Sequence, residues 1–354
     1  MRIGCVQLLE FRNYRTLSWS PAAHLNVITG PNAQGKTNLL EALGFAVTGR
    51  SFRTARTIDL ARWGSQAATV SGDLLRGETR RTVRRGLSRL EDGTWQVSGE
   101  AAPEWARVIA FGWQDLEIVN GGPAARRNFI DGFAARLYAN HAPTLVRFRQ
   151  ILARRNRLLQ QRPIDTCLAA RLEPWNEQFA TVGMDLLGRR RKAVAALQTE
   201  LARVYAALSG ARSKVEIRYR TSLGEAAEPG ALLAALERSR GDEIRRGQTL
   251  VGPHRDDLAI EIDGVDARAF GSRGQQRLTA LALRLAEMLP VTDAAGTAPI
   301  LLLDDALSEL DPIVRGHVLH EIRSAEQVFL TTPDIPVVDG AAMFHVNGGS
   351  LTTA

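Results

Sequence analysis

The chain predicts an α/β fold: a P-loop lobe with a mixed sheet and an antiparallel β portion, plus an inserted helical lobe. Three observations carry this expectation. A glycine loop, residues 30–37, stands between a β-like run and a helix. A wholly aliphatic run, residues 300–303, ends in two aspartates. Between the two lie about 260 residues, too many for a single crossover between parallel strands, so a further lobe must be inserted.

Taken in order, the opening MRIGCVQLLEFRNY alternates like a strand and lacks the apolar stretch and cleavage site of a signal peptide. Residues 25–47 read LNVITGPNAQGKTNLLEALGFAV. Within them Gly30, Pro31, Asn32, Ala33, Gln34, Gly35, Lys36 and Thr37 match G-x-x-x-x-G-K-[ST] at every position. The glycines let the backbone curl so that its N–H groups point at the β- and γ-phosphates. Lys36 supplies a compact charge, and Thr37 offers a hydroxyl to Mg²⁺. Only three of the 45 basic residues are lysine: Lys36, Lys192 and Lys214. Arginine elsewhere is what a GC-rich genome produces, so a retained lysine points to a need for an ammonium rather than a planar fork.

Short alternating runs over residues 66–98 and 258–268, separated by RGETR, EDGT and IDGV, predict antiparallel hairpins beside the main sheet. Residues 124–210 are rich in arginine and alanine with helical periodicity, broken by RPIDT and LEP. No a/d heptad persists, so a compact helical lobe is expected rather than a long coiled coil. The expected division is a discontinuous ATPase lobe, residues 1–119 and 246–354, around an inserted lobe, residues 120–245. The stretch GSRGQQRLT, residues 271–279, reads as a helix start. Ser272 and Gln275 fit the S-x-x-Q capping box, and Leu278, Leu281 and Leu285 follow at helical spacing. Such a start is suited to hold an anion. The run 300–303 reads as a strand buried on both faces, with Asp304 placed to hold Mg²⁺ and Asp305 to orient or deprotonate an attacking water. ATP hydrolysis is the leading chemistry.

The bulk composition narrows the class. Hydrophobic residues make up 45% and charged residues 23%, as in ordinary globular proteins. No apolar run reaches the ~18 residues of a membrane span, so no membrane association is expected. Cys5 and Cys167, without CxxC or clustered histidine, argue against a disulfide framework and a structural zinc. The cytoplasm is the expected compartment. A net charge of +7 favours a polyanionic partner. The runs at residues 76–89 and 189–192 are available to meet phosphates, with a solvated face as the competing reading. No base-reading module is present.

The order of P-loop, inserted lobe, S-x-G-Q-Q, aspartate pair and S-E-L-D resembles that of ABC-type ATPases. More narrowly, LEFRNYRTL, GPNAQGKTNLLEAL, GRSFRT, DLEIVNGGPAARRNFID, VGPHRDDLAI, GSRGQQRLTALALRLAE and LLLDDALSELD resemble the conserved blocks of the RecF family of bacterial recombination-mediator ATPases. They occur in order across nearly the whole chain. The resemblance implies an ABC-type, SMC-like head that binds ATP and Mg²⁺. It implies a homodimer induced by ATP on double-stranded and gapped DNA, slow hydrolysis that releases the DNA, and RecO and RecR as partners in loading RecA. It places Asn38 and Arg12 near the nucleotide, a surface arginine at a strand end being the alternative for Arg12. It makes residues 272–275 a signature-like segment in which Ser272, Gly274 and Gln275 cap the γ-phosphate on the partner protomer. Ser308 and Asp311 take D-loop-like positions.

Several positions depart from the family pattern. Ala33 replaces a usual glycine, which requires it to keep φ negative. FGWQDL puts Gln114 at a Q-loop-like, Mg²⁺-contacting position. Thr331 and Thr332, by contrast, agree with the family resemblance, standing where transporter ATPases carry a histidine. His254 in GPHRDD suits either a nucleotide-sensing group or a hydrogen-bonded turn. The alternative function is the ATP-hydrolysing subunit of an ABC transporter, against which stand the missing histidine and the basic charge.

Overall fold

The computed structural model describes residues 1–54, 56–161, 168–211, 213–224, 230–333, 338 and 340–353. They form two compact units, one of Met1–Leu116, Arg203–Lys214 and Ser272–Ala354, the other of Glu117–Ala202 and Val215–Gly271. The second unit therefore runs beyond residue 245, and residues 203–214 group with the first.

In chain order the strands are β1 (Arg2–Phe11), β2 (Tyr14–Trp19), β3 (Leu25–Thr29), β4 (Ala67–Arg76), β5 (Thr79–Arg89), β6 (Trp95–Gly99) and β7 (Val108–Phe111). They continue with β8 (Val215–Arg220), β9 (Asp257–Ile262), β10 (Val265–Asp266), β11 (Ile300–Leu303), β12 (Gln327–Thr331), β13 (Ala342–Asn347) and β14 (Ser350–Thr353). The first unit holds a six-stranded mixed sheet, β14-β13-β3-β12-β11-β7, and a five-stranded antiparallel sheet, β2-β1-β4-β5-β6. In the mixed sheet β3, β7, β11, β12 and β13 run parallel. Every residue of β3, β11 and β12 is buried, which is why none of these runs alternates apolar with exposed polar residues, and β11 is wholly aliphatic.

Helix α1 (Lys36–Thr48) follows β3 and is buried from Leu39 to Val47, its leucines packing with Phe11, Val70 and Val83. Each such leucine contributes about 1.5–3 kcal/mol, so the helix that begins at the P-loop is anchored on several sides. In the hairpin β4–β5, Val83 and Leu87 point into that core while Arg80, Arg81 and Arg84 stay exposed. Helix α2 (Arg273–Ala286) buries its apolar stripe from Leu278 onward.

The second unit combines the helices Pro123–Leu137, His141–Gln160 and Ala231–Arg246, most of Leu168–Ser209, and a three-stranded sheet, β10-β9-β8. Two expectations are corrected here. The hairpin at residues 258–268 belongs to this sheet, because β8 (VEIRYR) offers an alternating partner for β9 inside the lobe expected to be helical. LEP does not break its helix, which continues through Pro174. The proline forfeits one backbone bond near the helix start, while Leu172 and Phe179 on either side are buried. RPIDT and Cys167 lie outside the described residues, and Cys5 is a free, half-buried thiol.

Candidate active site

Parallel strands bring the two sequence signals together. The P-loop leaves the C-terminal end of β3 and Asp304 the C-terminal end of β11, with β12 between them. Open α/β sheets place ligands at that end. Around it lies a cavity of about 530 Å³ lined by Asn32, Ala33, Gly35, Lys36, Thr37, Asn38, Arg53, Trp113, Arg277, Asp304, Asp305, Thr331 and Pro333.

The loop demands glycine at two places. Gly30 has φ 137°, and a Cβ there would lie 2.3 Å from the Val346 carbonyl oxygen. Gly35 has φ 118° and would meet the Asn13 amide at 2.5 Å. Asn13 is placed there by two bonds, donating to the Gln34 carbonyl at 2.8 Å and accepting from Asn38 at 2.8 Å. Gln34 accepts from the N–H of Gly348 at 2.8 Å, tying the loop to the β13–β14 turn. Ala33 sits at φ 65°, which overturns the expectation that it keeps a negative φ. The loop needs a left-handed residue there, and alanine occupies it at a cost.

The chemistry-bearing side chains converge on Asp304. Thr37 donates to its Oδ1 at 2.8 Å, and Thr331 donates to the same oxygen at 2.8 Å. Burial raises the Asp304 pKa, opposed by these two hydroxyls. Lys36 donates to the carbonyls of Gly30 at 2.5 Å and Pro31 at 2.9 Å. Burial lowers its pKa, and the carboxylates of Asp305 and Asp304 work against that. Asp305 has φ 52°, its N–H donates to Thr331 Oγ1 at 2.9 Å, and its carboxylate accepts from the Ser308 hydroxyl. Asp311 caps the helix Pro312–Ile322, accepting from the N–H groups of Ile313 and Val314 at 3.0 Å each.

The remaining expected residues have defined places. Arg12 clasps the fully buried Glu41 of α1 with two bonds, 2.7 and 2.8 Å, and so braces the helix behind the loop. Gln114 donates to the Arg53 carbonyl at 2.5 Å and shares a small adjoining pocket with Asp304. Ser272 and Gln275 form the capping box, at 3.2 and 2.9 Å. Ser272, Gly274 and Gln275 are exposed, and of helix α2 only Arg277 lines the cavity. His254 lies in the other unit, against the rings of Phe148 and Phe179, and pairs with the Thr249 carbonyl at 3.1 Å. The hydrogen-bonded turn is thus its observed setting. Within the run 189–192, Arg190 is 2% exposed and bound to Asp131 at 2.7 Å, so it is a core residue rather than a phosphate ligand.

Sequence reasoning missed Arg53, Trp113, Arg277 and Glu41. Glu41 had a visible signal, a lone charge inside an apolar helical stretch. Arg53 sits in the block GRSFRT and donates to Asn38 at 2.7 Å.

The site residues fit a nucleotide with Mg²⁺. A hydroxyl and a carboxylate, both hard oxygen donors, are already in mutual contact beside a loop of backbone N–H groups. Comparisons with known proteins agree with this geometry. The family described as RecF/RecN/SMC N terminal domain matches residues 2–346. The DNA replication and repair protein RecF of Desulforudis audaxviator is 36% identical over 360 residues, covering 99% of each chain. Its counterpart in a Synechococcus strain is 35% identical over 379 residues, covering 99% of this chain and 97% of that one. A solved structure of the recombination mediator protein RecF with ATP, in the RecFOR pathway, superposes with TM-score 0.87 at 26% identity, over 99% of this chain and 97% of that one. An Smc head bound to the C-winged helix domain of ScpA shares the fold at TM-score 0.56 and 16% identity, over 100% and 97% of the chains. The fold is the ABC-type ATPase head with a helical insertion, and the chain belongs to the RecF family.

Proposed function

We propose that this protein is an ATP-dependent DNA-binding switch of recombinational repair and replication restart. It binds ATP, dimerises on double-stranded DNA near single-strand gaps, and helps load the RecA recombinase with RecO and RecR. The observation that carries this reading is the meeting of Lys36, Thr37, Asp304 and Asp305 around one cavity, while Ser272, Gly274 and Gln275 stay exposed and outside its lining. The relatives' names and the ATP-bound RecF structure support the same reading and point away from a transporter subunit.

In this mechanism residues 30–38 wrap the phosphates and Lys36 supplies the point charge. Thr37 and Asp304 would hold Mg²⁺, with Gln114 beside them, and the ion when bound would offset the charge on the phosphate oxygens. Asp305 orients the attacking water, its carboxylate aimed by the Ser308 hydroxyl. The first N–H groups of helix α2 have no acceptor within the helix, and a Cβ on Gly274 would meet nothing within 4 Å. That open helix start suits the γ-phosphate held by a second protomer, in a dimer of two-fold symmetry closed around two ATPs. Ser308 and Asp311 lie along the same interface. Hydrolysis is slow, stimulated by DNA, and resets the switch. The exposed arginines of β5 favour a phosphate backbone as partner.

The test is the mass of the protein in solution with duplex DNA, with and without ATP. Growth to a dimer on DNA only with ATP is expected. Such a complex should weaken by roughly 10³–10⁵ between 50 and 200 mM salt if 6–10 phosphates are neutralised. A monomer that ignores DNA with ATP present would remove this reading and revive the transporter subunit.

A further inference from the structure

Arginines are buried at several places in the chain, and most meet a carboxylate closely. Arg155 reaches Glu243 at 2.6 Å, Arg190 reaches Asp131 at 2.7 Å and Arg126 reaches Asp257 at 2.7 Å. Arg277 is different. It is 8% exposed, its nearest carboxylate is the solvent-facing Glu309 at 3.7 Å, and its Nε has no partner among the described residues. Its one close bond, from Nη2, goes to the backbone carbonyl of Asp305. Burying a guanidinium against a carbonyl is a poor bargain for folding alone.

The segment it holds is unusual as well. Asp305 and Glu309 both adopt left-handed backbone, φ 52° and 63°, which side-chain-bearing residues enter only under constraint. The Asp305 carbonyl also accepts the Ser308 N–H at 3.3 Å, closing a turn that aims the Ser308 hydroxyl at the Asp305 carboxylate. Arg277 clamps that turn at its first carbonyl and faces Glu309 beyond its end. On the other side, Arg277 is the first buried residue of α2, whose exposed start carries Ser272, Gly274 and Gln275. A helix is stiff over one turn, so whatever pins its start also pins Arg277.

We propose that Arg277 is a positioning residue that couples the exposed start of α2 to the aim of the Asp305 carboxylate, by holding the Asp305 carbonyl in its left-handed turn. This rests on the reading of Asp305 as the group that orients water. Lysine cannot replace it, because one ammonium does not span the Asp305 carbonyl and the Glu309 side as a fork does.

The experiment compares the full-length wild type with Arg277→Ala, Arg277→Lys and Asp305→Asn. ATP hydrolysis is followed with duplex DNA present, and nucleotide affinity is measured with a fluorescent ATP analogue. Both Arg277 variants should lose about 10²-fold in kcat, the scale of a misplaced catalytic group, with KM and analogue affinity little changed. Free guanidinium ion should restore part of the rate to Arg277→Ala and none to Asp305→Asn. Wild-type kcat in Arg277→Ala, or a loss confined to KM and analogue affinity, overturns the proposal. Should Arg277→Ala lack a cooperative unfolding transition, Arg277→Lys decides: unchanged kcat there is equally fatal. Full activity in Asp305→Asn would remove the reading of Asp305 itself, and the coupling with it. An inactive Asp305→Asn beside an active Arg277→Ala removes only the coupling.

Discussion

Thr37 donates its hydroxyl hydrogen to Asp304 Oδ1 at 2.8 Å across 267 residues of chain. That bond joins the start of α1, just after the P-loop, to the residue that follows β11. Lys36→Met, next to it, should abolish nucleotide binding, since a charge-assisted bond is worth about 1.5–3 kcal/mol and the cation makes more than one with phosphate. Titration with a fluorescent ATP analogue checks this, and retention of wild-type affinity would show that the ligand sits elsewhere.

Ser272 lies at the exposed end of α2, outside the cavity lining of its own chain. Ser272→Arg should therefore leave the monomer's ATP affinity intact while removing ATP-induced dimerisation and hydrolysis. Titration with a fluorescent ATP analogue reads the affinity, sedimentation with and without ATP the dimerisation, and phosphate release the hydrolysis. If the variant still dimerises with ATP, the helix start does not cap the partner's phosphate.

Ala33 occupies left-handed backbone at φ 65°. Ala33→Gly should stabilise the protein by about 1 kcal/mol, the relief of an L-residue in that region less the greater freedom of glycine in the unfolded chain. Thermal unfolding should register a rise of about 2 °C. A fall in Tm would mean that the methyl group earns its place through contacts.

His254 makes a pH-dependent contribution to stability. Burial pushes its pKa down to about 4 from an ordinary value near 6.5, with the Thr249 carbonyl opposing. Between those values the unfolded chain binds a proton that the folded chain does not. The stability associated with the neutral ring is therefore complete above about pH 6.5 and is lost as pH falls toward 4, by about 2–3 kcal/mol. Denaturant unfolding of wild type and His254→Phe from pH 7 to 4.5 measures it. The phenylalanine variant should show a flatter profile, and equal slopes would contradict the assignment.

Arg155 and Glu243 form a buried pair at 2.6 Å, with Asn176 and Thr249 completing the guanidinium's bonds at 2.8 and 2.7 Å. Arg155→Leu or Glu243→Leu alone should cost about 3–5 kcal/mol, because each strands a buried charge. The double variant should cost less than the sum of the two. Additive losses in urea unfolding would show that the two charges do not depend on one another.

Much of this molecule was legible one stretch at a time. The P-loop, the aliphatic strand ending at Asp304, the capping box at Ser272 and Gln275, and the β4–β5 hairpin all lie where their patterns put them. Each depends on relations between near neighbours: a spacing, an alternation, a cap three residues away. Where tertiary packing competes with such a rule, the local reading failed. Pro174 stays inside a helix, and β8 pairs with β9 within a stretch otherwise read as helical.

The sequence alone determined which chemical groups this protein carries and the local frames that present them, because glycine freedom, caps and periodicity act over a few residues. The tertiary structure decided which of those groups meet. Thr37 reaches Asp304, Arg12 turns to Glu41 and Arg277 grips Asp305 only after β3, β11 and α2 have packed. Contacts across 28, 29 or 267 residues cost loop entropy that no local pattern offsets. Burial of the apolar faces of the sheets and helices offsets it, and the site's geometry follows from that packing.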